Sequence, residues 1–462
     1  MAGKDLDFKT KSCWETLTGK KHQKAMDALC SQYRTFLSVC KTEREVIDFV
    51  RNKILSAGYR EDFSFPKVFR ILGGKTIFMA RKGKAPLGRG FRLIGAHADS
   101  PRLDFKQRPL YEECAVGLAK THYYGGIRKY QWLSRPLALH GVVVKKSGET
   151  IVVCIGEDAE DPVFTVLDLL PHLASKQMNK RLSTVFEAEK LNVVLGHAPA
   201  KNEKKNDNDK KEKDAVKKKI LEMLHKRYNI VEEDLFSAEI QAVPAGPARE
   251  VGLDGSLLGG YGQDDRICVH AALSALLSGP APAHTQVIMF WDKEEIGSDG
   301  ATGAKSLFFE YCLKDLIHAW SPKTRLNHVF MNSKAVSADV HAAMDPDYQD
   351  VHEKLNAALL GHGPCFSKFT GHRGKVGAND ASAEYVAWLR NLLDTAGVPW
   401  QMAELGKVDM GGGGTVAKFL AIYGMDVIDF GPPVLSMHSP FEISSKMDLY
   451  ASMLAYKAFL GS

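Results

Sequence analysis

No stretch of the 462 residues reaches the roughly 18 uninterrupted apolar positions that a membrane-crossing helix needs. The first residues, MAGKDLDFKTKSCWETL, are charged and contain no apolar signal core, so a cytoplasmic location is expected. None of the eight cysteines forms a CxxC pair, which excludes a zinc-thiolate framework and gives no sign of a disulfide scaffold. Several cysteines sit in apolar runs, Cys154 in IVVCIG among them, and are read as buried thiols of a reducing compartment. The run Gly411–Gly414 lacks both the Lys-Ser/Thr of a P-loop and the GxGxxG spacing, so it is not a nucleotide cradle. It is either a close backbone approach or a tight turn. The +6 formal charge has one concentrated source, Asn202–Lys219, with eight lysines against five acids, a surplus of three. That run contains no aromatic residue and no arginine, so it reads as a solvated loop, and no nucleic-acid or membrane partner is expected.

What remains is an ordinary globular composition, 45% hydrophobic and 25% charged, in a chain long enough for two domains. The stretch AMDALCSQYRTFLSVCKTEREVIDFVRNKIL has helical spacing and suggests two helices. KTIFMARKG and FRLIGAH read as strands. Between about 105 and 200 short β-rich pieces dominate, as in LALHGVVVKKSGETIVVCIG, followed by the charge run and a helical AVKKKILEMLHKRYN. Strand–helix alternation returns from about 246: TQVIMFW, HVFMNSKAVSAD and MDVIDFGPPVLS as strand segments, with helices in DASAEYVAWLRNLLDTAG and DLYASMLAYKAFLG. This pattern implies an α/β domain, its sheet covered on both faces, built from 1–104 and 246–462, with a β-rich insert at 105–245.

Acidic and imidazole residues recur where strands end. His97 and Asp99 follow FRLIGA; Asp264 and Asp265 open a helix; Glu294 and Glu295 follow TQVIMFWDK; Asp339 and His438 each follow an apolar run. In an open α/β sheet, ligands gather beyond the carboxyl ends of the strands. A pair of divalent ions needs a bridging carboxylate, terminal imidazole or carboxylate ligands, and a further carboxylate as proton acceptor. Glu294 and Glu295 could divide the last two tasks, in either order. Each signal alone has a plainer reading: a surface His-x-Asp pair, a solvated Glu-Glu, a helix N-cap at Asp264–Asp265, a turn cap at Asp339, a satisfied buried His438. Their joint placement after apolar strands favours a metal centre.

GAHADSPRLDFK, GQDDRIC, DKEEIGSDGA, SADVHAAMDPDY and VLSMHSPFE resemble, in order and spacing, the motifs of the M18 metallopeptidases, the aspartyl aminopeptidase family, and most of all its bacterial members. YYGGIRKYQWLSRPLALHG and LLPHLAS extend the likeness into the insert. The resemblance implies an αβα sandwich zinc-peptidase catalytic domain with an inserted β-rich dimerisation domain. It implies that Asp264 bridges two ions, that His97 and Asp339 complete one shell and Glu295 and His438 the other. Glu294 is then the general base, and Asp99 orients His97. The substrate is a peptide with a free N-terminus. The resemblance further implies a dodecamer built from dimers, with His172 reaching into the neighbouring subunit's site; a core histidine is the plainer reading. Lys368 is the candidate for reading an acidic N-terminal side chain. Two departures stand out: Asp265 occupies a position where many members have Asn, and the segment around Lys368 is shifted by a residue.

Zinc is the expected metal, and cobalt or manganese would suit the same ligands. The competing functions are a related dinuclear carboxypeptidase or deacylase, and a non-catalytic assembly or nucleic-acid-binding protein.

Overall fold

The computed structural model describes residues 6–201, 214–279 and 281–462. Most of the charge run therefore lies outside the described residues; its last five residues open the helix Ala215–Tyr228. The chain divides into two compact units, one of 1–100, 248–437 and 441–462, the other of 101–247 with 438–440.

The first unit is built on an eight-stranded sheet. Its centre consists of Thr285–Trp291, Phe91–His97, Lys334–Ser337 and Asp426–Gly431, side by side and mutually parallel. Every residue of the first two strands is buried. That two-sided burial follows from their near-continuous apolar sequences, as parallel strands covered by helices require. Alternate side chains enter different cores. Ile94, Ala96, Ile288 and Phe290 pack with the helices Lys20–Val39, Gln263–Ser278 and Lys446–Gly461. Phe91, Leu93, Val287 and Met289 pack with Phe308–Trp320 and Ala417–Ala421. The unit is thus an αβα sandwich. Because the four central strands are parallel and in register, with Trp291 opposite His97 and Ser337 opposite Gly95, their carboxyl ends share one edge. A five-stranded sheet, which includes Leu257–Gly260 and Glu442–Ser445, completes the unit.

The second unit carries a seven-stranded sheet whose named neighbours are all antiparallel. One edge is Thr150–Ile155, where Val153 and Ile155 are buried and Thr150, Val152 and Cys154 are exposed. This corrects the reading of Cys154 as a buried thiol: the period of two turns it outward although the run around it is apolar. Cys114 is exposed as well, and the other six cysteines are buried. A second correction concerns HVFMNSKAVSAD. Leu326–Met331 is a helix and only Lys334–Ser337 is a strand. The three-residue apolar run Val329–Met331 is too short for periodicity to separate the two states. The glycine run pairs Gly412–Gly413 with Gly371–His372. A Cβ on Gly412 would lie 2.1 Å from the Gly371 carbonyl oxygen, so glycine there permits a backbone contact.

Candidate metal centre

The shared edge of the parallel strands gathers the acidic residues of three separate segments around one imidazole. His97 ends its strand with its ring buried. Nδ1 lies 3.0 Å from the Asp99 carbonyl oxygen, to which it donates in the tautomer that leaves Nε2 a lone pair. Nε2 lies 3.1 Å from Asp264 Oδ1 and 3.8 Å from Asp339 Oδ1. Two overlapping sets of potential ligand atoms result, each within 4.8 Å: His97, Asp264 and Glu295, and His97, Asp265 and Asp339. Asp265 was not assigned a ligand role from sequence, yet it stands in the second set. Its Oδ2 also accepts the His97 backbone N–H at 3.2 Å.

Local structure explains how each group arrives. Asp264 and Asp265 open the helix Gln263–Ser278 with non-helical dihedrals, which turns their side chains out of the helical spiral. Gly262 just before them has φ +74°, and a Cβ there would lie 1.7 Å from an Arg266 guanidinium nitrogen. Glycine takes this left-handed backbone without strain and leaves room for the buried guanidinium. Glu294 and Glu295 sit on a single 3₁₀ turn after the strand Thr285–Trp291. Asp99 caps that turn: Oδ1 accepts the Glu294 N–H at 3.1 Å and Oδ2 the Glu295 N–H at 3.2 Å. Through these bonds Asp99 fixes where the two glutamates begin, a contact that the sequence does not announce.

Electrostatics in the protein alone are strained in the direction a cation relieves. Burial pushes the Asp265 carboxyl well up from the usual carboxylate range; His97 opposes the rise and Asp339 and Asp264 add to it. Asp339 is raised mainly by burial, with its hydrogen bond to His97 working the other way. Glu294 is pushed up to about 8, first by burial, with Asp339, Asp99 and Asp264 adding to the rise. Burial alone would lower His97, but hydrogen bonds to Asp264, Asp339 and Asp99 hold it well above its ordinary value. Several buried carboxylates around one imidazole repel one another unless positive charge is supplied. Imidazole nitrogen and carboxylate oxygen are the ligand types zinc, manganese and cobalt accept, so the residues fit divalent metal.

The remaining candidates stand elsewhere. His438 belongs to the second unit and is in neither set; its Nδ1 lies 2.8 Å from the Gly126 carbonyl oxygen. That is the same tautomer-fixing contact that His97 makes, and metal-bound histidines usually have one. His172 lies on the short turn Pro171–Leu173, where no residue is buried, so the core-histidine alternative is excluded. Lys368 is bound to Asp380, which Lys375 holds at 2.8 Å from the other carboxylate oxygen.

Three participants went unnoticed in the sequence. Ser100 Oγ donates to the Asp264 carbonyl at 2.7 Å. Glu442, buried at the start of a strand, accepts the backbone N–H groups of Gln263 and Asp264. Asp429 lies buried on the strand Asp426–Gly431 opposite Ser337, and burial pushes it up to about 7, with Asp339 adding to the rise. The one available signal was an acid inside an apolar strand, in VIDFG and PFEIS.

Comparison with known proteins supplies the family. The family described as aminopeptidase I zinc metalloprotease (M18) matches residues 36–460. A probable M18 family aminopeptidase 1 of Clostridium acetobutylicum is 47% identical, with 99% of each chain covered. The crystal structure of an M18 aminopeptidase from Thermotoga maritima is 45% identical and superposes with a TM-score of 0.92, covering 98% of this chain and 99% of the other. A structure titled as the S. cerevisiae mApe1 dodecamer shares the fold at 21% identity and a TM-score of 0.74, covering 94% and 97%. Both the sequence and the fold therefore place this chain in the M18 family of aminopeptidases, which are zinc metalloproteases.

Proposed function

We propose that this aminopeptidase works with two divalent ions, zinc in the first instance, held at the strand-end cluster. Asp264 would be the shared ligand, with His97 and Asp339 completing one side and Glu295 the other. His438 is proposed as a further ligand on its own local chemistry, because its Nδ1 is committed to a backbone carbonyl. The observation that carries the reading is His97: one imidazole with Nδ1 tied back by Asp99 and Nε2 facing the carboxylates of Asp264 and Asp339. When bound, the ions would supply Lewis acidity toward the scissile carbonyl and lower the pKa of water beside them.

The protein's own groups do the rest. Glu294 takes the proton of the attacking water on its carboxylate and returns it to the nitrogen of the departing amine. Asp99 keeps Glu294 and Glu295 in fixed relation through their backbone N–H groups. An acidic N-terminal side chain would draw Lys368 away from Asp380, which gives the preference for acidic residues its chemical basis.

We also propose that the chain works in the cytoplasm as a homo-oligomer assembled through the second unit. Among the described residues, no helix is long and apolar enough to cross a membrane. Around His172, Leu167, Leu169, Leu170, Leu173, Met178 and Leu182 are all exposed. Exposed apolar clusters of this kind mark contact surfaces. His172 stands among them, available to a second copy and, we propose, to that copy's site.

Rates on Asp-, Glu-, Leu- and Lys-anilides, with free and blocked amines, test the activity. Free-amine substrates should turn over and the blocked ones should not, with Asp and Glu fastest. Cleavage of blocked substrates would point to a deacylase or carboxypeptidase instead.

A further inference from the structure

We infer that Glu442 is the positioning residue that sets the Asp264 carboxylate in place for metal. The inference rests on the proposed role of Asp264 as shared ligand. Asp264 stands in the first turn of a helix, with non-helical dihedrals, where backbone N–H groups are capped by side chains. Glu442 is such a cap. Its Oε2 accepts the Gln263 N–H at 2.5 Å and the Asp264 N–H at 3.2 Å. Bonds donated by backbone N–H to an ionised acceptor are among the stronger ones, and a negative charge at a helix N-terminus is further favoured.

The other side of Asp264 is held too, by Ser100 Oγ on its carbonyl. Glu442 is itself fixed from two directions. Its backbone pairs with Gly260 across the five-stranded sheet, and its carbonyl accepts the Gln263 side-chain amide at 2.6 Å. Gln263 Oε1 in turn accepts from Ser444 at 2.5 Å and Tyr33 at 3.3 Å. A glutamate 1% exposed, aimed at two main-chain N–H groups, is costly to bury, and its placement beside the proposed shared ligand gives it a purpose. Glu442 touches no substrate in this account. It acts through the backbone of Asp264.

The test compares Glu442→Asp, which withdraws the carboxylate by one carbon, with Glu442→Gln, which keeps an oxygen acceptor in place. Zinc affinity is measured by chelator competition, alongside kcat, KM and the melting temperature of the metal-free protein. Ser256→Ala, whose hydroxyl bonds the exposed Asp254 and no member of this network, is the control. We expect Glu442→Asp to lose about 10- to 100-fold in zinc affinity, the usual effect of removing a ligand's support, with kcat falling and KM nearly constant. Glu442→Gln, which keeps the acceptor in place without its charge, should lose less than Glu442→Asp, and Ser256→Ala should match wild type. Wild-type zinc affinity in Glu442→Asp would overturn the inference. So would an equal loss in Glu442→Gln, or a metal-free Glu442→Asp that does not fold, since charge or folding would then be its role. If the wild-type protein binds no zinc, the reading of the site fails, independently of Glu442.

Discussion

The strand-end edge of the first unit and the segment Val163–Leu182 of the second depart from the usual sorting of residues in opposite ways. At the first, carboxylates and an imidazole are buried: Asp99 and Asp265 are fully enclosed and His97 is 2% exposed. In the second, apolar side chains face outward, Leu173 at 66% and Met178 at 81%. Buried charge calls for an opposite charge, and exposed hydrocarbon calls for another surface. The two regions therefore ask for different partners, an ion in one case and a protein in the other. Burial in the wrong sense is informative in both directions.

The sharpest break of that comparison is at Glu294. Glu294→Gln removes the proton acceptor without removing a proposed ligand. Turnover of aminoacyl anilides should fall about 10²- to 10⁴-fold while metal content stays at the wild-type level. Near-normal rates would remove Glu294 from the chemistry.

A smaller effect is expected at the apolar segment. Leu173→Glu places a charge where hydrocarbon should be covered. Covering a leucine contributes about 1.5–3 kcal/mol, so self-association followed by light scattering should weaken at least about tenfold. An unchanged mass distribution would remove this segment from the assembly contact.

His270 gives a quieter test, in pH. Its ring is buried between Tyr33 and Phe36, with centroids 5.4 and 5.5 Å away, and burial pushes it down to about 3. An unfolded histidine titrates near 6.5, so the unfolded chain binds the extra proton first. Stability from this group is complete above about pH 6.5 and declines as pH falls toward 3, with a slope of up to one proton. His270→Leu should flatten that part of a denaturant-melt profile. An unaltered acid slope would assign the loss to other groups.

The least effect is expected from removing residues 202–212. Anilide rates should stay within about twofold, because an interleaved charge run is usually solvated. A large loss would give the run a role in the reaction.

Much of this is legible in the sequence. Apolar runs such as TQVIMFW and FRLIGAH announced buried parallel strands, and the acids that follow them announced the edge where they meet. The reading failed where periodicity carries too little information, as in HVFM, or where an apolar run conceals an outward face, as at Cys154. It also could not see backbone partners. Asp99 contacts Glu294 and Glu295 nearly two hundred positions away, and Glu442 reaches the N–H of Asp264 across a similar distance. Such bonds depend on tertiary placement and leave no local spacing. For the same reason the resemblance, not the spacing, divided the work of Glu294 and Glu295.

The central claim is a cluster that holds two ions, and counting them against activity tests it most directly. Chelator-stripped protein would be titrated with zinc while bound metal and anilide hydrolysis are followed together. The account predicts activity that reaches its plateau at two ions per chain, and an Asp264→Ala variant that neither fills nor turns over. Full activity with one ion per chain, or with none, would contradict it.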